Sequence, residues 1–163
     1  MQSLRPLVLI SGSFAGSDTT SIALQSILFN IFKNPPVLAK LQEELDRAAS
    51  EDRLSSLVQY SEAITLPYLR ACIKEGMRIH PSLAISLPRH VPQGGCEIAG
   101  RFFPEGSKVG INAWVVHRDE EVFGKDARLY NPERWFERDA VMMDRHMFQV
   151  CGTHTLELVP QQS

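Results

Sequence analysis

The sequence predicts a mainly α-helical fold with a small antiparallel β region, an α+β arrangement. A long apolar segment runs from Leu4 to Phe32, two amphipathic helical periods follow before Pro81, and short Gly- and Pro-bounded extended stretches lie beyond it. With 163 residues, 44% of them hydrophobic and 22% charged, the chain can bury a core and is not compositionally disordered. It fits one ordinary domain or a piece of a larger one.

The first helix is expected through Leu7–Lys33, a length of roughly 40 Å at about 1.5 Å per residue. Its apolar run is interrupted only at Ala15-Gly16-Ser17-Asp18-Thr19-Thr20. An acid and adjacent hydroxyls in a buried helix are costly unless they meet partners, water or a ligand. The residues alone leave two readings, a satisfied polar pair or a functional site. Arg5 ahead of Pro6–Ile10, with small residues at Ala15–Ser17, faintly imitates a signal peptide. Apolar helical character continues past that cleavage point, however, and Asp18 near the centre opposes a membrane span by about 3 kcal/mol.

Asn34-Pro35-Pro36 ends this helix and starts a second, Asn as a cap and Pro in the first turn. Val37, Leu38, Leu41, Leu45 and Ala48 then recur at helical spacing, with Glu43 and Arg47 paired on the outer face. Ser50–Ser61 reads as a polar connection. A third helix is expected over Pro67–Ile79, with Leu66, Leu69, Ile73 and Met77 on one side and Glu75 beside Arg78. His80-Pro81 ends it, because a residue before proline is pushed out of the helical region.

Leu83–Val91 alternates apolar and polar residues like a half-buried strand, and Pro88 places it at a sheet edge or end. Turns at Gly94-Gly95 and Pro104-Glu105-Gly106 bound short extended pieces at Cys96–Ala99 and Arg101–Phe103, and Lys108–Val116 is a further strand candidate. His117–Gly124 reads as a short helix or loop, and Tyr130–Phe136 as irregular but packed, being rich in aromatics.

Composition excludes some functions. The net charge is -2 and no Lys/Arg cluster occurs, so no nucleic-acid partner is expected. Cys72, Cys96 and Cys151 are odd in number and irregularly spaced, which points to an intracellular reducing compartment rather than a disulfide framework. No phosphate-binding loop or nucleophile elbow is present. His146, Cys151 and His154 match no standard zinc spacing, so no metal site is expected from them.

The order of the remaining motifs is more specific. A helix carrying Ala15-Gly16-x-Asp18-Thr19-Thr20 precedes Glu75-x-x-Arg78, then Pro88-Arg89, then Pro132-Glu133-Arg134-Trp135. Each motif is weak alone, but in this order and spacing they resemble the cytochrome P450 superfamily of haem-thiolate monooxygenases, from Leu7 to about Phe148. The stretch Leu66–Asp119 is most similar to fungal members related to pisatin demethylase, through Leu-Pro-Tyr-Leu, Lys-Glu-x-x-Arg-x-His-Pro and Gly-Arg-Phe-Phe-Pro-Glu-Gly.

The resemblance implies a partial P450 domain over residues 1–148, corresponding to the C-terminal half of that fold. It implies a haem cofactor, an apolar small-molecule substrate such as fungal secondary metabolism offers, dioxygen, and a reductase as electron donor. For a full-length relative it implies an anchor in the endoplasmic reticulum membrane. Ala15 and Gly16 would leave room on the haem face, where a local widening of the helix is common. Asp18 and Thr19 would supply protons as the O–O bond breaks, which is general acid work. Glu75, Arg78 and Arg134 would form a buried salt-bridge cluster through flat, bidentate contacts, with a structural role. Arg89 would reach a haem propionate. Ala84, Ile85 and Leu87 would line the substrate pocket, or else be plain core.

The family's signature Phe-x-x-Gly-x-Arg-x-Cys-x-Gly should come next, its Cys the axial iron ligand. Matching Gly152-Thr153-His154-Thr155 to its Gly-x-Arg-x part places Leu156 on the ligand position, with Cys151 five residues too early. Residues 149–163 are therefore expected to be a divergent tail in place of the haem-binding loop, without the thiolate, and the isolated chain is expected to be inactive. The alternative is a non-enzymatic truncated or mis-spliced product that at most associates with a partner or membrane through an unpaired helical face.

Overall fold

The computed structural model describes residues 4–148 apart from residue 87, and the backbone alone for residues 4–15. Four helices come first: α1 (Leu4–Lys33), α2 (Pro35–Ser50), α3 (Tyr60–Ala63) and α4 (Pro67–Ile79). Short strands follow, β1 (Arg89–His90), β2 (Cys96–Ile98), β3 (Arg101–Phe103) and β4 (Lys108–Val109). Four short helices close the described chain: α5 (Ala113–Val116), α6 (Glu120–Phe123), α7 (Arg134–Glu137) and α8 (Ala140–Arg145). The fold is mainly helical with a small antiparallel β component, as the sequence predicts.

Helix α4 is the centre of the packing. One side meets α1 and α2 around Ile31, Leu41 and Cys72. The other meets α6, α7 and α8 around Ala71, Phe123, Ala127, Trp135 and Met143. Gly76 lets α4 lie directly on α1: a Cβ there would stand 2.7 Å from Ile27 Cγ1 and 2.9 Å from Ile27 Cα. Ser26 Oγ of α1 donates to the Gly76 carbonyl at 2.8 Å across the same contact. The apolar side read from the sequence is not the most buried face of α4. Leu66 at its start is buried, but Leu69, Ile73 and Met77 are half-buried, whereas Cys72, Glu75 and Arg78 are fully enclosed. Small residues set the approach to α1, and fully paired charges tolerate the interior.

Helix ends follow local chemistry that periodicity does not carry. Asn34 does not cap α2 with its side chain; its Nδ2 donates to the Asn30 carbonyl at 2.7 Å and closes α1 instead. Pro35 and Pro36 have no N–H to offer a cap, and the Val37 N–H is taken by the Asn34 carbonyl. The first turn of α4 is satisfied from α2, where Glu44 accepts the N–H groups of Tyr68 at 2.8 Å and Leu69 at 2.9 Å. The polar connection expected over Ser50–Ser61 already contains the start of α3. Glu62 organises that start by accepting the Gln59 N–H and the Ser55 hydroxyl.

The β region is two separate antiparallel ladders. Arg89 pairs with Val109, and Cys96 with Phe103. Ala99 and Gly100 join β2 to β3 with φ of 50° and 73°, the pair of left-handed residues that a tight two-residue hairpin needs. The strand expected over Leu83–Val91 shrinks to β1, directly after Pro88. Ala84, Ile85 and Ser86 are exposed, so the alternation there has no sheet to face. The strand expected over Lys108–Val116 stops at Val109, because Asn112 Oδ1 accepts the Trp114 N–H and starts α5. Among the described residues, no helix is long and apolar enough to cross a membrane.

Candidate functional site

Glu75 and Arg78 lie on the inner face of α4, and Arg134 opens α7 across from them. Glu75 and Arg78 are fully buried and Arg134 is 1% exposed. The Arg78 fork grips Glu75 through Nε to Oε2 at 2.9 Å and Nη2 to Oε1 at 2.7 Å. Arg134 Nε reaches the same Oε1 at 2.9 Å. Glu75 also accepts the Asn131 N–H at 3.0 Å and the Trp135 indole N–H at 3.1 Å. Two cations thus share one carboxylate, and each also has other acceptors. Arg78 donates to the carbonyls of His117 at 2.5 Å, Ala127 at 2.6 Å and Leu129 at 3.0 Å. Arg134 donates to the Phe123, Asp126 and Leu129 carbonyls and to both Asp126 carboxylate oxygens at 3.0 Å. No buried side-chain nitrogen or oxygen among the described residues lacks a partner.

This arrangement ties three chain segments together: α4, the loop from His117 to Leu129, and α7. Burial favours the protonated form of Asp126, but hydrogen bonds from Asn131 and Arg134 and the Arg134 charge outweigh it and hold its carboxyl below the usual range. A buried network of this kind fixes one arrangement of backbone more than it adds raw stability. Both guanidinium groups have all their donors occupied within the protein, so the cluster holds these segments in the manner of a clamp.

The α1 residues are placed differently. Gly16 is exposed and a Cβ there would meet nothing within 4 Å. The Ala15 side chain lies outside the described residues. Asp18 is exposed on the α1 surface, and Thr19 is half-buried where its carbonyl accepts the Ser82 hydroxyl at 2.9 Å. That bond holds the exit of α4 against the Ala15–Thr20 turn of α1. Arg89 is exposed on β1, its Nη1 on the Pro88 carbonyl at 3.3 Å, and it pairs with no carboxylate among the described residues. Ala84 and Ile85 are exposed. Leu87, Cys151 and Leu156 lie outside the described residues. The structure therefore joins Glu75, Arg78 and Arg134 in one cluster and leaves Asp18, Thr19 and Arg89 apart from it.

The model of the family described as Cytochrome P450 matches residues 8–150 of the chain. The chain belongs to the cytochrome P450 family. The P450 monooxygenase gsfF of Penicillium aethiopicum is 44% identical over 148 residues, which is 91% of this chain and 29% of that protein. Pisatin demethylase of Fusarium vanettenii is 46% identical over 123 residues, 76% of this chain and 24% of its own length. The P450 monooxygenase cicH of Emericella nidulans is 47% identical over 123 residues, again 76% of this chain and 25% of that protein. The chain thus spans 24–29% of the length of these P450 relatives.

P450 membership implies haem, and the described residues can be asked whether they suit it. An axial ligand needs an accessible thiolate. Cys72 is fully buried beside Ile31 and Leu41, and burial pushes its thiol up to about 11. Cys96 faces Phe103 across the hairpin. Among the described residues no group of three or more His, Cys, Asp or Glu could hold a metal. Of the described cysteines, Cys72 is therefore closed off from a haem iron.

Several members of the cluster were not foreseen from the sequence. Asp126 and Asn131 stand in an irregular loop without periodicity, and the carbonyls of Phe123, Ala127 and Leu129 carry no side-chain signal at all. Trp135 was expected to pack, but its indole N–H bond to Glu75 follows only from the fold.

Proposed function

We propose that the chain is the oxygen-helix and clamp segment of a P450 monooxygenase which, as a whole protein, oxidises an apolar small molecule with dioxygen and electrons from a reductase. The observation that carries this reading is the closed Glu75–Arg78–Arg134 cluster, in a chain 44% and 47% identical to relatives named as P450 monooxygenases. Asp18 and Thr19 hold protons on the α1 surface for this chemistry, Ala15 and Gly16 keep that surface low, and Arg89 pairs with an anionic group of the cofactor. Residues 1–148 form the P450 part and residues 149–163 stand in place of the haem-binding loop, with Leu156 where the thiolate belongs and Cys151 out of position. The polypeptide carrying that tail has no monooxygenase activity of its own. Its whole relative is an intracellular protein anchored at the endoplasmic reticulum.

A chimera tests the enzymatic part. Residues 8–148 replace their equivalents in pisatin demethylase, with that protein's own haem-binding loop retained. The expected result is a thiolate-type Soret band with carbon monoxide and reductase-dependent oxidation of pisatin. A folded chimera that binds haem but shows neither would overturn the reading.

A second reading is favoured by the outer face of α1, where Leu24, Leu28, Phe29 and Phe32 are each more than half exposed. Such a face favours association, so a non-enzymatic truncated or mis-spliced product would associate with a partner or membrane through it.

A further inference from the structure

His117 stands at the C-cap of α5 and is fully buried. Its ring contacts Phe123 edge to face with centroids 6.3 Å apart. Nδ1 lies 3.2 Å from the Arg78 carbonyl oxygen, and Nε2 lies 2.9 Å from the Phe148 backbone nitrogen. These partners decide the tautomer. A carbonyl can only accept, so Nδ1 carries the proton; a backbone N–H can only donate, so Nε2 is bare. Arg78 returns a bond to the His117 carbonyl at 2.5 Å, so the two residues are tied to each other twice.

We propose that His117 is a positioning residue: its neutral imidazole ties the chain at Phe148, where the segment from residue 149 begins, to the backbone of Arg78 in the buried clamp. The inference rests on the reading above, in which that segment takes the place of the haem-binding loop. Phe148 lies beyond α8, the last helix among the described residues, and this bond is a long-range anchor for its N–H. Fixing the last described N–H before that segment sets where its backbone leaves the clamp. The imidazole does this from a site whose other bonds are already closed by Arg78.

The bond is switchable. An imidazolium has no lone pair at Nε2 and cannot accept from Phe148. Burial disfavours the imidazolium most, the bond to the Arg78 carbonyl opposes that effect, and the charged groups facing the ring are both cations, Arg78 from α4 and Arg118 from the adjoining turn, so the neutral form persists down to about pH 4. Below that, protonation releases Phe148.

The test is NMR on the 15N-labelled 163-residue chain, reading the scalar coupling between the Phe148 amide nitrogen and His117 Nε2 and the hydrogen exchange of the Phe148 amide. The Trp135 indole N–H reports whether the clamp is closed. At neutral pH the coupling is present and the amide is protected. The coupling disappears as the pH falls through about 4. His117→Gln, whose amide oxygen can still accept, keeps the protection and loses the pH step. His117→Phe loses protection by about tenfold, the order of one buried hydrogen bond, with the Trp135 signal unchanged. No coupling in the native chain, or equal protection in His117→Phe, overturns the proposal. Should His117→Phe fail to fold, the native pH step and the His117→Gln result decide alone. These readouts need no haem, so failure here leaves the chimera result standing, and the converse holds too.

Discussion

Replacing Glu75 by Gln keeps the shape of the clamp and removes its only fully buried negative charge. Arg134 retains Asp126, whose side chain is 34% exposed, but Arg78 retains no carboxylate. An uncompensated buried guanidinium costs about 3–5 kcal/mol, a large part of a total stability of about 5–15 kcal/mol. With an m-value of about 2 kcal/mol per molar urea, the midpoint should fall by about 2 M. The surface pair Glu43–Arg47, with side chains 69% and 61% exposed, is the control; Glu43→Gln should cost below about 0.5 kcal/mol. Equilibrium urea unfolding followed by tryptophan fluorescence reads both, since Trp135 donates to Glu75. Equal midpoints for the two variants would refute the argument that the cluster is closed and dry.

Gly76→Ala should destabilise by about 1–3 kcal/mol, because the new methyl meets the Ile27 backbone as well as its side chain; thermal unfolding checks this. Gly16→Ala meets open space and should stabilise α1 by about 0.5–1 kcal/mol, so a loss of stability there would contradict the placement of that surface. Stability should fall as pH is lowered from 6.5 towards 4. The unfolded chain takes up a proton at His117 in that window and the folded chain does not, a loss of about 3 kcal/mol in all. The His117→Gln variant should lack that slope, as urea midpoints across the range would show, while Asp126 adds a loss of the same sign at lower pH.

How far the sequence reaches differs between elements for physical reasons. Helix α4 was legible to its ends, since Pro67 and the His80-Pro81 step are covalent constraints that act on the chain locally. The extended pieces that form β2 and β3 were legible through the turns at Gly94-Gly95 and Pro104–Gly106 that bound them. The alternation before Pro88 was misleading, because apolar periodicity reports a face without reporting whether a sheet exists to meet it. Helix α5 depends on one side-chain cap from Asn112, and α4's first turn on Glu44 from another helix. Neither leaves a trace in spacing. Within the clamp, Glu75 and Arg78 were visible as neighbours on one helix, and their grouping with Arg134 came from resemblance. The loop carbonyls that occupy both guanidinium groups are set by the path of the backbone, which no residue type announces.

The proposal that a closed P450 clamp is joined here to a tail without the iron ligand depends on whether the chain can ligate iron. Its most direct test is the carbon monoxide difference spectrum of the 163-residue chain after incubation with haemin and reduction. The expected result is no thiolate-type Soret band at any haemin ratio. A thiolate-type band, abolished by Cys151→Ser, would contradict it and make Cys151 the ligand.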